Sequence, residues 1–321
     1  MHSDQENTQR PACGNLRLAA AAIIFMFTAV ACAGTVAKDS TGQQEFATPE
    51  AAVEALAAAA KTDDEQGLES IFGPAAKELI SSGDPVADRL QRKKFSADFD
   101  LKNRLTREGE RWILTIGQQD WPFPIPLVKR EAGWAFDTKA GREEILFRRI
   151  GGNELDTVQT LLAIVDAQRE YAMGDRSGDG IREYAQKFRS DPGTTDGLFW
   201  ETRPGEAPSP LGQLVADARA EGYSMSGRQQ GPMPYHGYYY RMLTAQGPHA
   251  AGGAFDYLVN GRQIGGFAVL AYPATYGNSG VMTFMVNHDG TVYESDLGEG
   301  TAERALAMKA FDPDDTWQPL Q

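Results

Sequence analysis

Trp112-Ile113-Leu114-Thr115-Ile116, residues 112–116, decides the fold class. Trp112, Leu114 and Ile116 alternate with Ile113 and Thr115, the period of two expected of a strand. What precedes this stretch carries the period of a helix. Thr48 reads as an N-cap, with Pro49 at the first helical position and Glu50 in the first turn. Val53, Leu56, Ala57 and Ala60 then recur as one buried stripe. Asp63-Asp64 breaks that helix and starts a second through Leu68, Ile71 and Phe72, which Gly73-Pro74 ends. A third is expected from Pro85 to about Thr106, with Val86, Leu90, Phe95, Phe99 and Leu105 as its apolar members. Helices followed by antiparallel strands make an α+β domain over residues 47–150.

On the C-terminal side of the strand stands Pro122-Phe123-Pro124-Ile125-Pro126-Leu127-Val128. Three prolines at alternate positions cannot donate to a ladder, so this reads as an edge strand or an extended wall. Gly133-Trp134-Ala135-Phe136-Asp137 closes a hairpin. A long amphipathic helix is expected from Asn153 to Ala172, striped by Leu155, Val158, Leu162 and Val165. Residues 174–208 are rich in Gly and Pro, and a loop this long is functional or mobile. Ser209-Pro210 is expected to cap a helix that ends at Gly222. An antiparallel meander follows, from Tyr238-Tyr239-Tyr240-Arg241-Met242-Leu243-Thr244 through Gly265–Tyr272 to a hairpin turning on Asn287-His288-Asp289-Gly290. This second domain covers residues 151–300, and residues 301–321 read as a loose acidic tail.

The other informative segment is Leu18–Cys32, the single long apolar run. Arg10 and Arg17 precede it and small residues close it, the pattern of an export signal over residues 1–33. It is too short for a comfortable membrane span. Thr28-Ala29-Val30-Ala31 before Cys32 resembles a bacterial lipobox, in which Cys32 would be lipidated. Ala31-Cys32-Ala33 also fits ordinary secretory cleavage. The expectation is an exported protein, a periplasmic or outer-membrane lipoprotein or otherwise a secreted one. Residues 34–46, polar and Gly/Thr/Gln-rich, read as a tether.

The chain has two cysteines, Cys13 and Cys32, both in the signal region, so the exported part has no disulfide and relies on core burial. Hydrophobic residues make up 41%, enough for that. Net charge is −13. Nucleic-acid binding needs a basic surface that this chain lacks. Membrane contact is expected only through an N-terminal lipid anchor, and envelope proteins are the expected partners.

With these segments in place, the chain resembles the bacterial family called domain of unknown function 2950. The likeness rests on Trp121–Leu127, on Asp166-Ala167-Gln168-Arg169-Glu170-Tyr171-Ala172, on Asp196-Gly197-Leu198-Phe199-Trp200, on Gly237–Arg241 and on Tyr272–Gly277. The family name brings no activity with it. The order of elements over residues 153–298 resembles the globular heads of type IV pilins and pseudopilins, which implies a pilin-head-like C-terminal half. The N-terminal part is similar to nuclear-transport-factor-like domains, which implies a small-ligand pocket.

Asp175-Arg176-Ser177-Gly178-Asp179-Gly180 begins like a calcium loop, with Asp175, Ser177 and Asp179 at alternate positions and Gly at the sixth. The twelfth position is Gln186, so Glu183 would have to supply the closing carboxylate. The alternative is a polar turn. His236, His249 and His288 are scattered among turns, and Ser279 lacks a nucleophile elbow. Asp191, Asp196, Glu201 and Glu206 surround Trp200 and could supply paired carboxylates for glycoside hydrolysis. Three functions follow. The first is a non-catalytic, lipid-anchored envelope protein acting through contacts. The second is a ligand-binding module with an apolar pocket lined by Trp112, Phe123 and Phe136. The third is a hydrolase working through the loop acids.

Overall fold

In the computed structural model, which describes residues 37–38, 42–224 and 233–320, Thr48 caps the first helix as its sequence requires. Its Oγ accepts the Ala51 N–H at 3.2 Å, and α1 runs Pro49–Lys61. Asp64 caps α2 (Glu65–Phe72) in the same way, and Gly73 ends it with φ 82°. A single 3-10 turn, Pro74–Ala76, leads into α3 (Lys77–Ile80). Asp84 then caps α4 (Pro85–Leu101).

These helices cover one face of an antiparallel sheet built from Asn103–Glu108, Arg111–Ile116, Leu127–Lys129 and Trp134–Phe136, in that order. Leu114, Ile116, Leu127 and Phe136, each 2% exposed or less, join Leu56, Leu68, Ile71 and Phe72 in the first core. Asn103–Glu108 is a correction, since the third helix was expected to reach Thr106. Only Leu105 of that strand turns toward the core, so its polar sequence hides the alternation. Tethering of residues 34–46 is corrected at its C-terminal end. Gln44–Glu45 is a strand, Phe46 exchanges backbone bonds with Trp134 at 2.8 and 2.7 Å, and the Gln43 amide donates to Ile71 and Phe136 carbonyls.

Helix α5 runs Thr138–Ala172, 35 residues and about 50 Å at ~1.5 Å per residue. It starts much earlier than Asn153, and the boundary expected at residue 150 falls inside it. It runs through Gly151-Gly152, and two glycines cost only roughly 1 kcal/mol each relative to alanine. Burial on both sides outweighs that: Leu146 lies in the first core, and Leu161, Ile164, Val165 and Tyr171 lie in the second.

The second sheet is antiparallel, in the order Gln318–Pro319, Val292–Asp296, Met282–Asn287, Ala268–Pro273, Tyr238–Leu243. All six residues of Ala268–Pro273 are buried. Alternation sends Val269 and Ala271 toward α5, and Ala268, Leu270 and Tyr272 toward a third core. Between the first sheet and this meander, α6 (Gly212–Glu221) ends at Gly222 with φ 106°, the left-handed residue expected there. Ser209 does not cap α6, and its buried Oγ has no partner among the described residues. The irregular segment before α6 is held from inside by Gln168, whose amide both donates to and accepts from the Ala185 backbone at 2.8 and 2.9 Å. The third core packs beneath α7 (Thr301–Ala307), which with Ala310–Phe311 and Gln318–Pro319 replaces the loose acidic tail expected there. Phe311 and Trp317, 2% and 6% exposed, tie the terminus down.

The described residues belong to one compact unit. Buried and half-buried polar groups tie the start of α4 and the middle of α5 to the second sheet and the segments that enter it. Asp84, 0% exposed, accepts from Tyr223 Oη and Gly237 N, both at 2.9 Å, besides capping α4. Glu154 accepts from Val281 N and Met282 N at 3.0 Å, and the Asn153 amide donates to Ser279 O at 2.8 Å. The fold is α+β.

Candidate functional site

The proline segment decides where the molecule opens. Trp121–Pro122 pairs with the end of Arg111–Ile116, and Phe123 N still donates to Leu114 O at 2.7 Å. The chain then leaves the ladder and rejoins it only at Leu127. Phe123, Pro124 and Ile125 thereby become one wall of a cavity of about 700 Å³. Helix α4 supplies Phe95 opposite, Phe72 and Leu68 come from α2, and Ile145 and Arg148 come from α5. Ligand pockets span ~300–1,000 Å³, so this one has room for a small molecule.

The walls are largely apolar. Phe72 and Phe123 stack with ring centres 6.2 Å apart, and Phe95 meets Phe123 edge-on at 5.5 Å. Asp88, 6% exposed, is the buried carboxylate of the lining. Burial pushes its carboxyl above the ordinary carboxylate value, against the Ser82 N–H and the nearby Arg149 and Arg92. Ser82 N donates to both Asp88 oxygens, at 3.2 and 3.0 Å. Arg149 is drawn below the usual guanidinium value by burial, with Asp88 opposing. Its guanidinium donates to Glu78 O at 2.8 Å, to Leu79 O and to Asn278. Arg92 donates to Asp63 at 2.5 Å, Glu65 at 3.1 Å and Ile80 O at 3.1 Å.

Of the three pocket residues expected from sequence, Phe123 lines the cavity and two do not. Trp112 sits at the other end of its strand from Ile116, edge-on to Trp134 at 6.5 Å. Phe136, 0% exposed, lies behind Phe72 and Phe123 in the packed core. Trp121, Phe95 and the α5 residues were missed. Trp121 stood in the quoted proline motif, whereas the approach of α5 is a tertiary event without a local signal.

The calcium-loop residues are gathered around a side chain. Asp175 accepts the N–H groups of Gly178 at 2.7 Å, Asp179 at 3.3 Å and Gly180 at 2.7 Å, so it is used by its own turn. Ser177 Oγ donates to Glu183 at 2.9 Å. Arg262 enters from across the fold, donating to Asp179 and, at 3.2 Å each, to both oxygens of Glu183. The Arg262 guanidinium therefore stands among the oxygens that a cation would need. The hydrogen bond from Arg262 holds the Asp179 carboxyl low, and the Gly180 N–H does the same for Asp175. Among the described residues no group of three or more His, Cys, Asp or Glu side chains is arranged to hold a metal ion.

The loop acids near Trp200 are likewise engaged. Lys187 pairs with Asp191 at 2.7 Å and Asp196 at 2.6 Å. Partial burial opposes it, but Lys187, Thr194 and the Asp191 N–H hold the Asp196 carboxyl down to about 2, unsuited to giving up a proton near neutrality. Glu201 pairs with Arg219, and Glu206 accepts from Arg203 N at 2.9 Å. Trp200 is half-buried under Arg176, 5.1 Å from its ring centre. The histidines do not converge. His236 lies between Asp156 at 2.9 Å and Glu221 at 3.0 Å, His249 meets Asp312 at 3.0 Å, and His288 packs beside Tyr257 and Phe267. Ser279 is 0% exposed, and its Oγ is used within its own turn, by Thr275 N and O. Cys32 lies outside the described residues.

No curated protein and no solved structure matches the chain, so the pilin-head comparison finds no support there. A family model described as "Protein of unknown function (DUF2950)" matches residues 43–320, which takes in both sheets and the cavity, and the chain belongs to that family.

Proposed function

We propose that the protein is an exported envelope module that holds a small apolar molecule in the cavity between α2, α4, α5 and the proline-broken strand. The observation that carries this is the cavity itself: about 700 Å³, walled by aromatic and aliphatic side chains. A layer of helices over a sheet, with the ligand space between them, also supports the resemblance to nuclear-transport-factor-like domains. Export and anchoring through Leu18–Cys32 rest on the sequence pattern. The test is binding of the apolar fluorophore phenylnaphthylamine to the full chain. Its fluorescence should rise with saturation and fall away in Ile145→Trp, which fills the cavity from a half-buried position on α5. Circular dichroism checks that the variant folds. Equal fluorescence in the folded variant and the parent would sink the reading.

A second reading, a contact protein, has its own observation. Phe147, Leu155 and Leu162 are 75%, 71% and 37% exposed and lie within about 80° of one another around α5. Three large apolar side chains on one helix face suit a protein partner. Phe147→Ser with Leu155→Ser should then abolish cross-linking to envelope proteins without lowering the melting temperature.

A further inference from the structure

The mouth of the cavity differs in chemistry from its floor. Leu68, Phe72, Ile116 and Ile125 on the floor are buried. Lys94, Leu101, Gln118, Gln119, Trp121 and Arg148 at the mouth are exposed. Leu101 is 59% exposed and Trp121 38%, so apolar side chains stand in water at the rim of an apolar space. Two cations, Lys94 and Arg148, belong to the same rim. The Arg148 guanidinium lies 4.9 Å from the Trp121 ring centre, and the Lys94 side chain is 72% exposed.

The partners of these two cations are on their own helices, one turn away: Asp98 for Lys94 at 2.8 Å and Glu144 for Arg148 at 2.5 Å. Exposed pairs of this kind are weak and readily exchanged for a better acceptor. The lining as a whole carries Arg92, Lys94, Arg148 and Arg149 against Asp88 and Asp98. Asp63 and Glu65 pair with Arg92 and Glu144 with Arg148, so the charges around the mouth balance, and Lys94 and Arg148, 72% and 38% exposed, are the lining cations left open to solvent.

We propose that the cavity takes an anionic amphiphile, its alkyl chain on the Phe72–Ile125 floor and its carboxylate or phosphate head between Arg148 and Lys94. This rests on the cavity reading above. The planar guanidinium of Arg148 suits either head, because both present paired oxygens. The exposed Leu101 and Trp121 then cover the first methylenes beyond the head.

The experiment displaces phenylnaphthylamine from the full chain with four probes of one chain length: dodecanoate, dodecyl phosphate, dodecanol and dodecyltrimethylammonium. The two anions should compete about three- to tenfold better than dodecanol, as expected for two exposed charge contacts. The cationic probe should be weakest. The advantage should fade between ~0.1 and ~1 M salt, as the screening length falls from about 10 to about 3 Å. In the Lys94→Gln/Arg148→Gln variant, dodecanol should compete as before and the anions should fall to its level. A difference between dodecanoate and dodecyl phosphate assigns the head. Equal competition by dodecanol and both anions in the parent would overturn the anion assignment and leave the cavity reading standing. Absence of any phenylnaphthylamine signal in the parent would overturn both.

Discussion

Asp84→Ala should be among the most damaging single substitutions in the chain, and its cost can be worked from four hydrogen bonds. Asp84 Oδ1 accepts Val86 N and Ala87 N at 3.1 Å, and Oδ2 accepts Tyr223 Oη and Gly237 N at 2.9 Å. The first pair is a helix cap, worth ~1 kcal/mol. The second joins the start of α4 to the segment entering the second sheet. Removing the carboxylate strands two buried donors at ~1–3 kcal/mol each. The sum is about 3–7 kcal/mol, against a stability of ~5–15 kcal/mol for ordinary domains. Urea unfolding followed by far-ultraviolet circular dichroism reads this directly. Tyr223→Phe should cost about 1–2 kcal/mol, because three N–H donors still satisfy Asp84 while the half-buried His236 N–H loses its acceptor at 3.3 Å. The double variant should be less destabilised than the two singles added together, by about 1 kcal/mol, since it has lost the Tyr223 hydroxyl that Asp84→Ala alone would strand. A cost below about 1 kcal/mol for Asp84→Ala, or strict additivity with Tyr223→Phe, would refute the bond between the two parts.

Arg262→Gln should expose Ser177, Asp179 and Glu183 to ions, so calcium should raise the melting temperature of that variant and leave the parent unchanged; an equal calcium response in both would show that Arg262 does not guard the loop. Burial raises the Asp88 carboxyl above its ordinary 3.8, so the folded state holds a proton that the unfolded chain has already released. The parent should therefore gain stability relative to Asp88→Asn as pH falls through the raised value, with the variant equal or better at neutral pH. A gap independent of pH, measured by urea unfolding, would remove Asp88 as a buried ionised group. Cys32→Ser should move the protein from the membrane to the soluble fraction of its native cell, and continued sedimentation with membranes would end the lipid-anchor reading.

The parts of the fold legible in the sequence are those fixed by local chemistry. Thr48-Pro49 and Asp84-Pro85 start helices where caps and proline demand it, and Gly290, with φ 90°, turns the last hairpin where a left-handed residue was expected. What stayed hidden depends on partners distant in sequence. Asn103–Glu108 presents one apolar side chain to the core, too few for a visible alternation. The acidic C-terminus reads as loose because nothing local shows that Phe311 and Trp317 pack in the third core. Pocket residues divide the same way. Period-two alternation tells which face Trp112 and Ile116 share, but not that only Ile116 reaches the cavity, because that depends on where α4 and α5 cross the sheet. In the calcium loop the spacing of oxygens was readable, while the guanidinium of Arg262, distant in sequence, was not.

The proline segment links sequence to site most directly. A strand with its N–H groups intact would continue along Arg111–Ile116 and close the sheet. Pro122, Pro124 and Pro126 lack three of those donors, so once Phe123 has bonded to Leu114 the backbone gains nothing by staying in the ladder. It swings out and is received by α5. At Gly141 an added Cβ would lie 2.6 Å from the Ile125 side chain and 2.7 Å from Pro124 O, so only glycine lets the helix come this close. The same excursion sets Phe123 against Phe95 of α4 and leaves the space beside these rings unfilled. A recess of this size, open to solvent at its mouth, forfeits packing that the fold could otherwise have had. Proline spacing leads the chain out of the ladder and a glycine on α5 receives it, so the wall of the cavity is set by these residues, which is the physical reason to look for its occupant before looking for a catalytic group.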